Sequence, residues 1–262
     1  MPDWEIVTVP FSSEPGHDMW RGPDRILGSL GIKPDKRLES SRQEGDVASW
    51  QALCQSFQAR FADGLDPTRR WLFVAGECTV APLPVGSLQR FHSAVQVVWI
   101  DAHGDIHTPE SSTSGFLGGM PLNVLIGGSL PSVAEAARLQ PVPIERVTMV
   151  GTHDLDPPEA RLLEQLGIPI VNDPEALAQR VRAIGVPAYV HVDVDVLDLA
   201  ENPAQSYPST GGFLVSELTA IVKGLLDTSH VAAVSVCAYS PGLDVHDRGL
   251  QSVQKIVRTV LR

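Results

Sequence analysis

Residues 97–109 read Val-Val-Trp-Ile-Asp-Ala-His-Gly-Asp-Ile-His-Thr-Pro. The apolar run at 97–100 is typical of a buried strand. Asp101, His103 and Asp105 follow at alternate positions, so they project to one side if the backbone stays extended. Buried carboxylates are costly unless they are paired or bind a metal, and oxygen plus imidazole donors suit Mn, Fe, Zn or Ni. The stretch therefore predicts a metal site at a strand end, or else acids that simply reach solvent.

A second acid-bearing strand lies at residues 188–198, which read Ala-Tyr-Val-His-Val-Asp-Val-Asp-Val-Leu-Asp. Asp193 and Asp195 occupy alternate positions, and Asp198 follows. In a parallel sheet the carboxyl ends of the strands gather along one edge, where open α/β folds place their ligands. Two such strands in one chain indicate one shared cation site. Alone, the pair would also fit magnesium in a phosphoryl-transfer protein, but His103 argues against that metal because Mg prefers oxygen donors.

Composition is typical of one α/β domain spanning residues 1–262. The hydrophobic fraction of 43% provides an ample core, and no composition break or linker divides the 262 residues. The net charge of −11, without a Lys/Arg cluster, argues against nucleic acid and anionic membranes as partners. The start has no signal-peptide pattern, no run is long enough to span a membrane, and the three cysteines have no paired spacing. We therefore expect a cytoplasmic protein.

Strands and helices alternate along the chain. The predicted strands are 4–9, 71–75, 95–101, 146–151, 168–171, 188–193 and 231–237. The predicted helices lie near 46–63, 80–90, 132–138, 157–166, 173–184, 216–226 and 249–260. Asp173 and Ser216 are predicted helix N-caps. The alternation, with Val-rich strands, predicts a three-layer αβα sandwich around a mostly parallel sheet.

The motifs resemble those of the ureohydrolase family, which contains the arginases and agmatinases. Two signatures are matched by Asp101-Ala102-His103-Gly104-Asp105 and by His191-Val192-Asp193-Val194-Asp195-Val196-Leu197-Asp198. The family's Gly-Gly-Asp-His-Ser motif is matched by Ala75-Gly76-Glu77-Cys78-Thr79, with Cys78 in place of the metal-binding His. The stretch at 20–27, Trp-Arg-Gly-Pro-Asp-Arg-Ile-Leu, resembles the Gly-Pro start of the family's first helix. The matches run from about residue 20 to about residue 244, and they imply the arginase-like fold.

The resemblance implies a centre of two manganese ions. One ion would be held by Cys78, Asp101, Asp105 and Asp193, and the other by His103, Asp101, Asp193 and Asp195. A hydroxide bridging the ions would attack a guanidinium or amidine carbon, with Asp105 orienting it and His103 also serving catalysis. Because thiolate is softer than imidazole, Cys78 leaves other divalent metals open. The alternative for Cys78 is a buried cysteine of purely structural role.

The resemblance also implies substrate contacts. Ser114 matches a substrate-carboxylate ligand of arginases. Asp156 matches the ligand of the α-amino group, although its place before Pro157 also predicts a helix N-cap. Gly118 stands where arginases carry a proton-shuttling His, and Phe116 where they carry an Asn. Cys78 together with residues 117–120 is similar to the N-hydroxyarginine-hydrolysing branch of the family found in D-cycloserine biosynthesis.

The last family motif is altered. The family carries Glu-x-Asn-Pro after its final strand, and that Glu grips the guanidinium. Here the sequence is Ala-Tyr-Ser-Pro at 238–241, so Ala238 replaces the Glu. A buried guanidinium without its carboxylate loses several kcal/mol. Asp244, Asp247 and Glu77 are the candidate replacements, and Tyr207 stands where arginases have a small polar residue.

Three functions remain open from the sequence. The favoured one is a dinuclear metal hydrolase that cleaves a C–N bond of a guanidine, N-hydroxyguanidine or amidine-type small molecule, since five of six metal-ligand positions match the family. The alternative is a catalytically impaired member with a binding or scaffolding role, because Ala238 and Gly118 lack the family's side chains. A phosphoesterase is disfavoured by the lack of a phosphate-binding loop or basic cluster. The expected partner is a small-molecule substrate, and a homo-oligomer is left open.

Overall fold

A seven-stranded parallel sheet forms the centre of the computed structural model, which describes residues 4–14 and 16–262. Its strands are β1 (Trp4–Val9), β2 (Lys36–Arg37), β3 (Arg70–Ala75), β4 (Gln96–Ile100), β5 (Val147–Val150), β6 (Ala188–Asp193) and β7 (Val231–Cys237). They lie in the order β2-β1-β3-β7-β6-β4-β5, and every neighbouring pair is parallel. Near-continuous apolar runs such as the one in β4 are expected for strands covered on both faces.

Helices cover both faces of this sheet. They are α1 (Gly22–Leu30), α2 (Asp46–Arg60), α3 (Pro82–Leu88), α4 (Pro121–Leu125), α5 (Pro131–Ala136), α6 (Pro157–Leu166), α7 (Pro174–Ile184), α8 (Val215–Leu226) and α9 (Arg248–Val260). Helices α2–α6 pack into one apolar cluster around Trp50 and Trp99, and α1 and α7–α9 into a second around Ile26 and Leu218. The predicted three-layer αβα sandwich is thus confirmed. Within the described ranges, no helix is long and apolar enough to cross a membrane.

Most predicted elements are present, with ends shifted by up to three residues. The N-cap at Asp173 is confirmed, because its side chain accepts a hydrogen bond from the Ala176 N–H at 2.8 Å. The N-cap at Ser216 is wrong: α8 begins one residue earlier, and Leu214 is the capping position. Glu217 accepts a hydrogen bond from the Leu214 N–H at 2.7 Å instead. The Glu217 carboxylate thus satisfies the N–H of the capping residue, which is the part that Glu has in a capping box.

The predicted strand at 168–171 is also wrong. This segment makes a single parallel bridge, between Ile170 and Met149, rather than a ladder. Pro169 has no N–H to donate, which limits pairing at this place. The short elements β2 and α4 were not predicted, because two and five residues show no measurable periodicity.

The strand order places four carboxyl ends side by side. Strands β3, β7, β6 and β4 are consecutive in the middle of the sheet. The chain leaves them at residues 76–78, 238, 194–195 and 101–105 respectively. Both acid-bearing motifs and the Cys78 motif therefore meet at one edge, as expected for a ligand site in an open α/β sheet.

Candidate metal centre

A cavity of about 260 Å³ opens above these four strand ends. Seven of its lining residues are Asp or Glu. No Lys or Arg from the described part of the chain lines the cavity. The acids are Glu77, Asp105, Asp154, Asp156, Glu159, Asp193 and Asp195. Buried carboxylates in such numbers need compensating positive charge. The cavity is therefore built for cations at its floor.

The end of β4 supplies three of the predicted ligands. Asp101 is almost fully buried; its Oδ2 accepts a hydrogen bond from Trp99 Nε1 at 3.1 Å, and its Oδ1 accepts one from the His103 N–H at 2.7 Å. Asp105 turns the chain with φ of 47°, a left-handed conformation that Asp tolerates. Its Oδ2 is buried and has no hydrogen-bond partner in the part of the chain described. That oxygen is free to bind a cation.

The end of β6 supplies two more. Asp193 Oδ1 accepts a hydrogen bond from the Asp195 N–H at 2.8 Å, which starts the short 3-10 turn at Val194–Val196. This turn aims Asp195 towards the β4 motif, where its Oδ2 lies 3.0 Å from His103 Nδ1. The other Asp193 oxygen, Oδ2, lies 2.9 Å from Cys78 Sγ. The Cys78 sulfur therefore faces the acidic cluster at the cavity floor.

A close backbone approach brings Cys78 there from the end of β3. Gly76 passes so near to Phe11 that a Cβ would lie 2.0 Å from the Phe11 carbonyl oxygen. Only glycine fits, and the chain then enters the 3-10 turn Cys78–Val80.

Two compact sets of donor atoms result, and they share Asp101. One comprises Cys78, Asp101 and Asp105, and the other comprises Asp101, His103 and Asp195; in each, the ligand atoms lie within 4.8 Å of one another. The unpaired Asp105 oxygen and the mixed oxygen, nitrogen and sulfur donors fit divalent transition metals. Asp193, the remaining predicted ligand, is oriented to Cys78 and belongs to a third set, described below.

Burial and mutual charge shift the pKa values of three of these groups. Burial, reinforced by the charges of Asp101 and Asp193, raises the pKa of Asp105 well above its usual range. Burial and the neighbouring Asp195 and Asp101 likewise raise the pKa of Asp193. For His103, burial lowers the pKa, but the carboxylates of Asp101 and Asp195 outweigh it and the net shift is upward. A bound cation would replace these protons.

The cavity lining also holds a second ionic cluster. His107 Nε2 lies 3.0 Å from Asp156 Oδ2 and 3.8 Å from Glu159 Oε1. Asp156 Oδ1 also accepts the Glu159 N–H at 3.0 Å, so its prediction as the N-cap of α6 is confirmed. Ser114 lines the same cavity and accepts a hydrogen bond from the Phe116 N–H at 3.2 Å. The two predicted substrate residues thus face one space, with Asp156 already paired to an imidazole.

Two aromatic residues, Phe116 and Tyr207, line the cavity. Phe116 and Tyr207 are stacked with ring centroids 5.0 Å apart, and His17 meets both edge-on. A Cβ on Gly118 would lie 2.2 Å from the Phe116 ring. The Phe116 ring thus occupies the space that a side chain at position 118 would need, so the residues at 116 and 118 depend on each other.

None of the three candidate replacements for the missing Glu is free at the cavity. Ala238 lines the cavity itself. Asp244 accepts hydrogen bonds from Tyr239 and the start of α9, and Asp247 pairs with Arg25 at the surface. Glu77 does line the cavity, but its oxygens accept hydrogen bonds from the Ser13 N–H and from two hydroxyl groups. None of these three carboxylates is left unengaged to meet a guanidinium.

Several residues of the site were not predicted. His107 and Glu159 were not assigned roles, and neither were Cys237 and His191 below the cavity floor. His191 precedes Asp193 by two residues on β6, so period-two alternation put both on one face, a signal present in the sequence. Burial lowers the pKa of His191 to about 3, so its imidazole is neutral.

Comparison with known proteins points to one family. A sequence profile described as the arginase family matches residues 3–262. Over 156 residues, 59% of this chain and 55% of the relative, the chain is 32% identical to N(omega)-hydroxy-L-arginine amidinohydrolase of Streptomyces lavendulae. Over 205 residues, 72% of this chain and 62% of the relative, it is 27% identical to arginase-1 of Homo sapiens. The aligned chain thus spans less than two thirds of these relatives.

The fold is shared more completely than the sequence. The arginase of Bacillus caldovelox superimposes with a TM-score of 0.87 at 20% identity, covering 100% of this chain and 98% of that chain.

Proposed function

The chain belongs to the arginase family, and we propose that it is a dinuclear metal-dependent hydrolase that cleaves a C–N bond of a neutral or N-hydroxylated guanidine or amidine. The observation that carries the proposal is the pair of donor sets sharing Asp101 at the floor of an acidic cavity. Cys78, Asp101, Asp105, His103, Asp193 and Asp195 would hold the ions, with manganese as the expected metal. When bound, such a pair supplies water of lowered pKa at neutral pH.

The protein's own groups then serve the reaction in distinct ways. Asp105 would bind an ion through its unpartnered Oδ2, and its other carboxylate oxygen would orient the attacking water and accept its proton. Asp195 fixes the ring of His103 through the 3.0 Å contact to Nδ1. The stacked rings of Phe116 and Tyr207, which line the cavity, would limit access of bulk water to the reacting carbon. Ser114, which lines the cavity, would bind a polar end of the substrate.

Substrate choice follows from the two missing side chains. Ala238 offers no carboxylate to a guanidinium, and Gly118 offers no proton donor to the leaving amine. Buried charge without a partner is costly, so unmodified arginine and agmatine should bind and react poorly. The relative named N(omega)-hydroxy-L-arginine amidinohydrolase makes N-hydroxy-L-arginine the first substrate to test.

The decisive assay compares arginine, agmatine and N-hydroxy-L-arginine with manganese-loaded protein, following urea and hydroxyurea. We expect hydroxyurea from the third substrate and little urea from the first two. Asp101→Asn, which removes the shared ligand, should abolish turnover, and Asp198→Asn, outside the donor sets, should not. Rates on arginine equal to those on N-hydroxy-L-arginine would contradict the assignment.

A second candidate is supported by the same two positions. If catalysis requires the carboxylate that Ala238 lacks and the proton donor that Gly118 lacks, the protein binds a guanidine-type ligand without hydrolysing it. Isothermal titration of N-hydroxy-L-arginine into the metal-loaded protein separates the two: binding without hydroxyurea indicates this binding role.

A further inference from the structure

Four buried side chains converge just below the cavity floor. Cys78, Cys237, His191 and Asp193 each offer one ligand atom, and these atoms lie within 4.8 Å of one another. The relative exposures are 5% for Cys78, 3% for Asp193 and 0% for the other two. Strand pairing puts Cys237 beside Asp193, since β6 and β7 are in register there. Cys237 and His191 have no part in the dinuclear centre proposed above, so this set stands on its own geometry.

Two of the three distances within this set agree with a tetrahedron around zinc, and the third is shorter. Bonds of about 2.3 Å to sulfur and about 2.0–2.1 Å to imidazole nitrogen give edges of about 3.8 Å between sulfurs and about 3.5–3.6 Å between sulfur and nitrogen. Here Cys78 Sγ lies 3.8 Å from Cys237 Sγ, and Cys237 Sγ lies 3.5 Å from His191 Nε2. The fourth donor, Asp193 Oδ2, is 2.9 Å from Cys78 Sγ, a thiol hydrogen bond that loses its proton when the sulfur binds a metal.

The orientation of His191 is the one expected of a metal ligand. Its Nδ1 contacts Ser235 Oγ at 2.8 Å and Tyr189 OH at 3.0 Å, while Nε2 faces sulfur. Trp99 stacks on the ring with centroids 3.8 Å apart and holds its plane. Metal-binding histidines are positioned by such contacts to the other ring nitrogen. Simple core packing accounts for two buried thiols, but not for an imidazole nitrogen aimed at one of them.

We propose that Cys78, Cys237, His191 and Asp193 form a binding site for a thiophilic divalent cation, Zn²⁺ above all. Two thiolates and an imidazole favour zinc and disfavour manganese. Cys78 and Asp193 line the cavity, so the ion reaches the site from there. Zinc held here takes two residues away from the manganese set, and the two metals therefore compete.

X-ray absorption at the zinc edge tests the site directly in the full-length protein loaded with one equivalent of zinc. We expect two sulfur ligands at about 2.3 Å. Cys237→Ser should leave one sulfur and weaken zinc binding at least about 100-fold, since even outer-shell losses cost 10–100-fold. Cys54→Ser, the matched control at a buried cysteine of α2 outside the cluster, should bind zinc like the wild type.

Two comparisons decide the outcome. Zinc with one sulfur or none in the wild type would overturn the site, and so would a folded Cys237→Ser variant of unchanged zinc affinity. If that variant does not fold, the wild-type spectrum alone decides. Manganese binding separates this proposal from the hydrolase: Cys237→Ser should lose zinc and keep manganese, whereas Asp105→Asn should lose manganese and keep two-sulfur zinc.

Discussion

Asp105→Asn should make the metal-free protein more stable. Asp105 is 6% exposed and its Oδ2 has no partner in the described chain. Burial and the nearby charges of Asp101 and Asp193 disfavour its ionised form. An unsatisfied buried polar group costs about 1–3 kcal/mol. An amide removes the charge and can donate to the neighbouring carboxylates, and Asn tolerates the φ of 47°. We expect the free energy of unfolding to rise by about 1–3 kcal/mol. Each kcal/mol raises Tm by about 2–4 °C in a chain of this size.

In manganese the same change should have the opposite effect. A metal present at 100 times its Kd stabilises the wild type by about 2.7 kcal/mol. Loss of an outer-shell partner weakens metal binding by up to about 100-fold. Loss of a direct ligand should weaken it at least as much. At the same manganese concentration the variant would then keep only about 0.4 kcal/mol of that stabilisation. In manganese, therefore, the wild type melts above Asp105→Asn, or the difference between their melting temperatures becomes small.

Thermal unfolding followed by circular dichroism, in EDTA and in manganese, measures both effects. Asp198→Asn is the control, because Asp198 belongs to the same β6 motif but lies outside the three-residue donor sets around Asp101. Its manganese-induced shift should equal that of the wild type. The reasoning fails if metal-free Asp105→Asn melts below the wild type, or if manganese raises its Tm as much as it raises that of the wild type.

Other changes test the remaining parts of the site. Cys78→His should bind manganese more tightly in isothermal titration, because imidazole suits this metal better than thiolate does; weaker binding would count against Cys78 as a ligand. Gly118→His alone should lower Tm, because its Cβ would lie 2.2 Å from the Phe116 ring. Adding Phe116→Asn should recover the lost stability, with a coupling energy of about 0.5–3 kcal/mol in a double-mutant cycle. Additive losses of stability would contradict the clash. His107→Asn frees Asp156 from its 3.0 Å ion pair. Since this pair is partly exposed and worth about 0.2–1 kcal/mol, KM for substrates with an α-ammonium group should fall by at most about fivefold, while KM for agmatine should not change.

The sequence predicts the fold and the cavity floor because both depend on local patterns. Asp101, His103 and Asp105 follow an apolar strand directly, and so do Asp193 and Asp195, so strand ends alone bring them to one edge. Contacts between distant segments do not follow from local patterns. Cys237 meets Cys78 across 159 positions of sequence, and their contact depends on β7 lying next to β3. Hydrophobic periodicity contains no information about that order.

The same limit applies to the far side of the cavity. His107 lies in a loop, and its role as partner of Asp156 and Glu159 depends on where α6 begins relative to the β4 motif. The Asp156 cap was predictable because capping depends on three neighbouring residues. Its engagement by an imidazole 49 positions earlier was not, because loop conformation fixes that contact.

The position of β7 also has a consequence for synthesis on the ribosome. This strand is the last in the chain, yet it lies between β3 and β6 and joins two three-stranded halves. Chains emerge from their N-termini first, so both halves are translated before the strand that unites them. Cys78 belongs to one half, and the acids of β4 and β6 belong to the other. A nascent chain that stops before residue 231 carries all six proposed metal donors but lacks the strand that sets Cys78 beside Asp193.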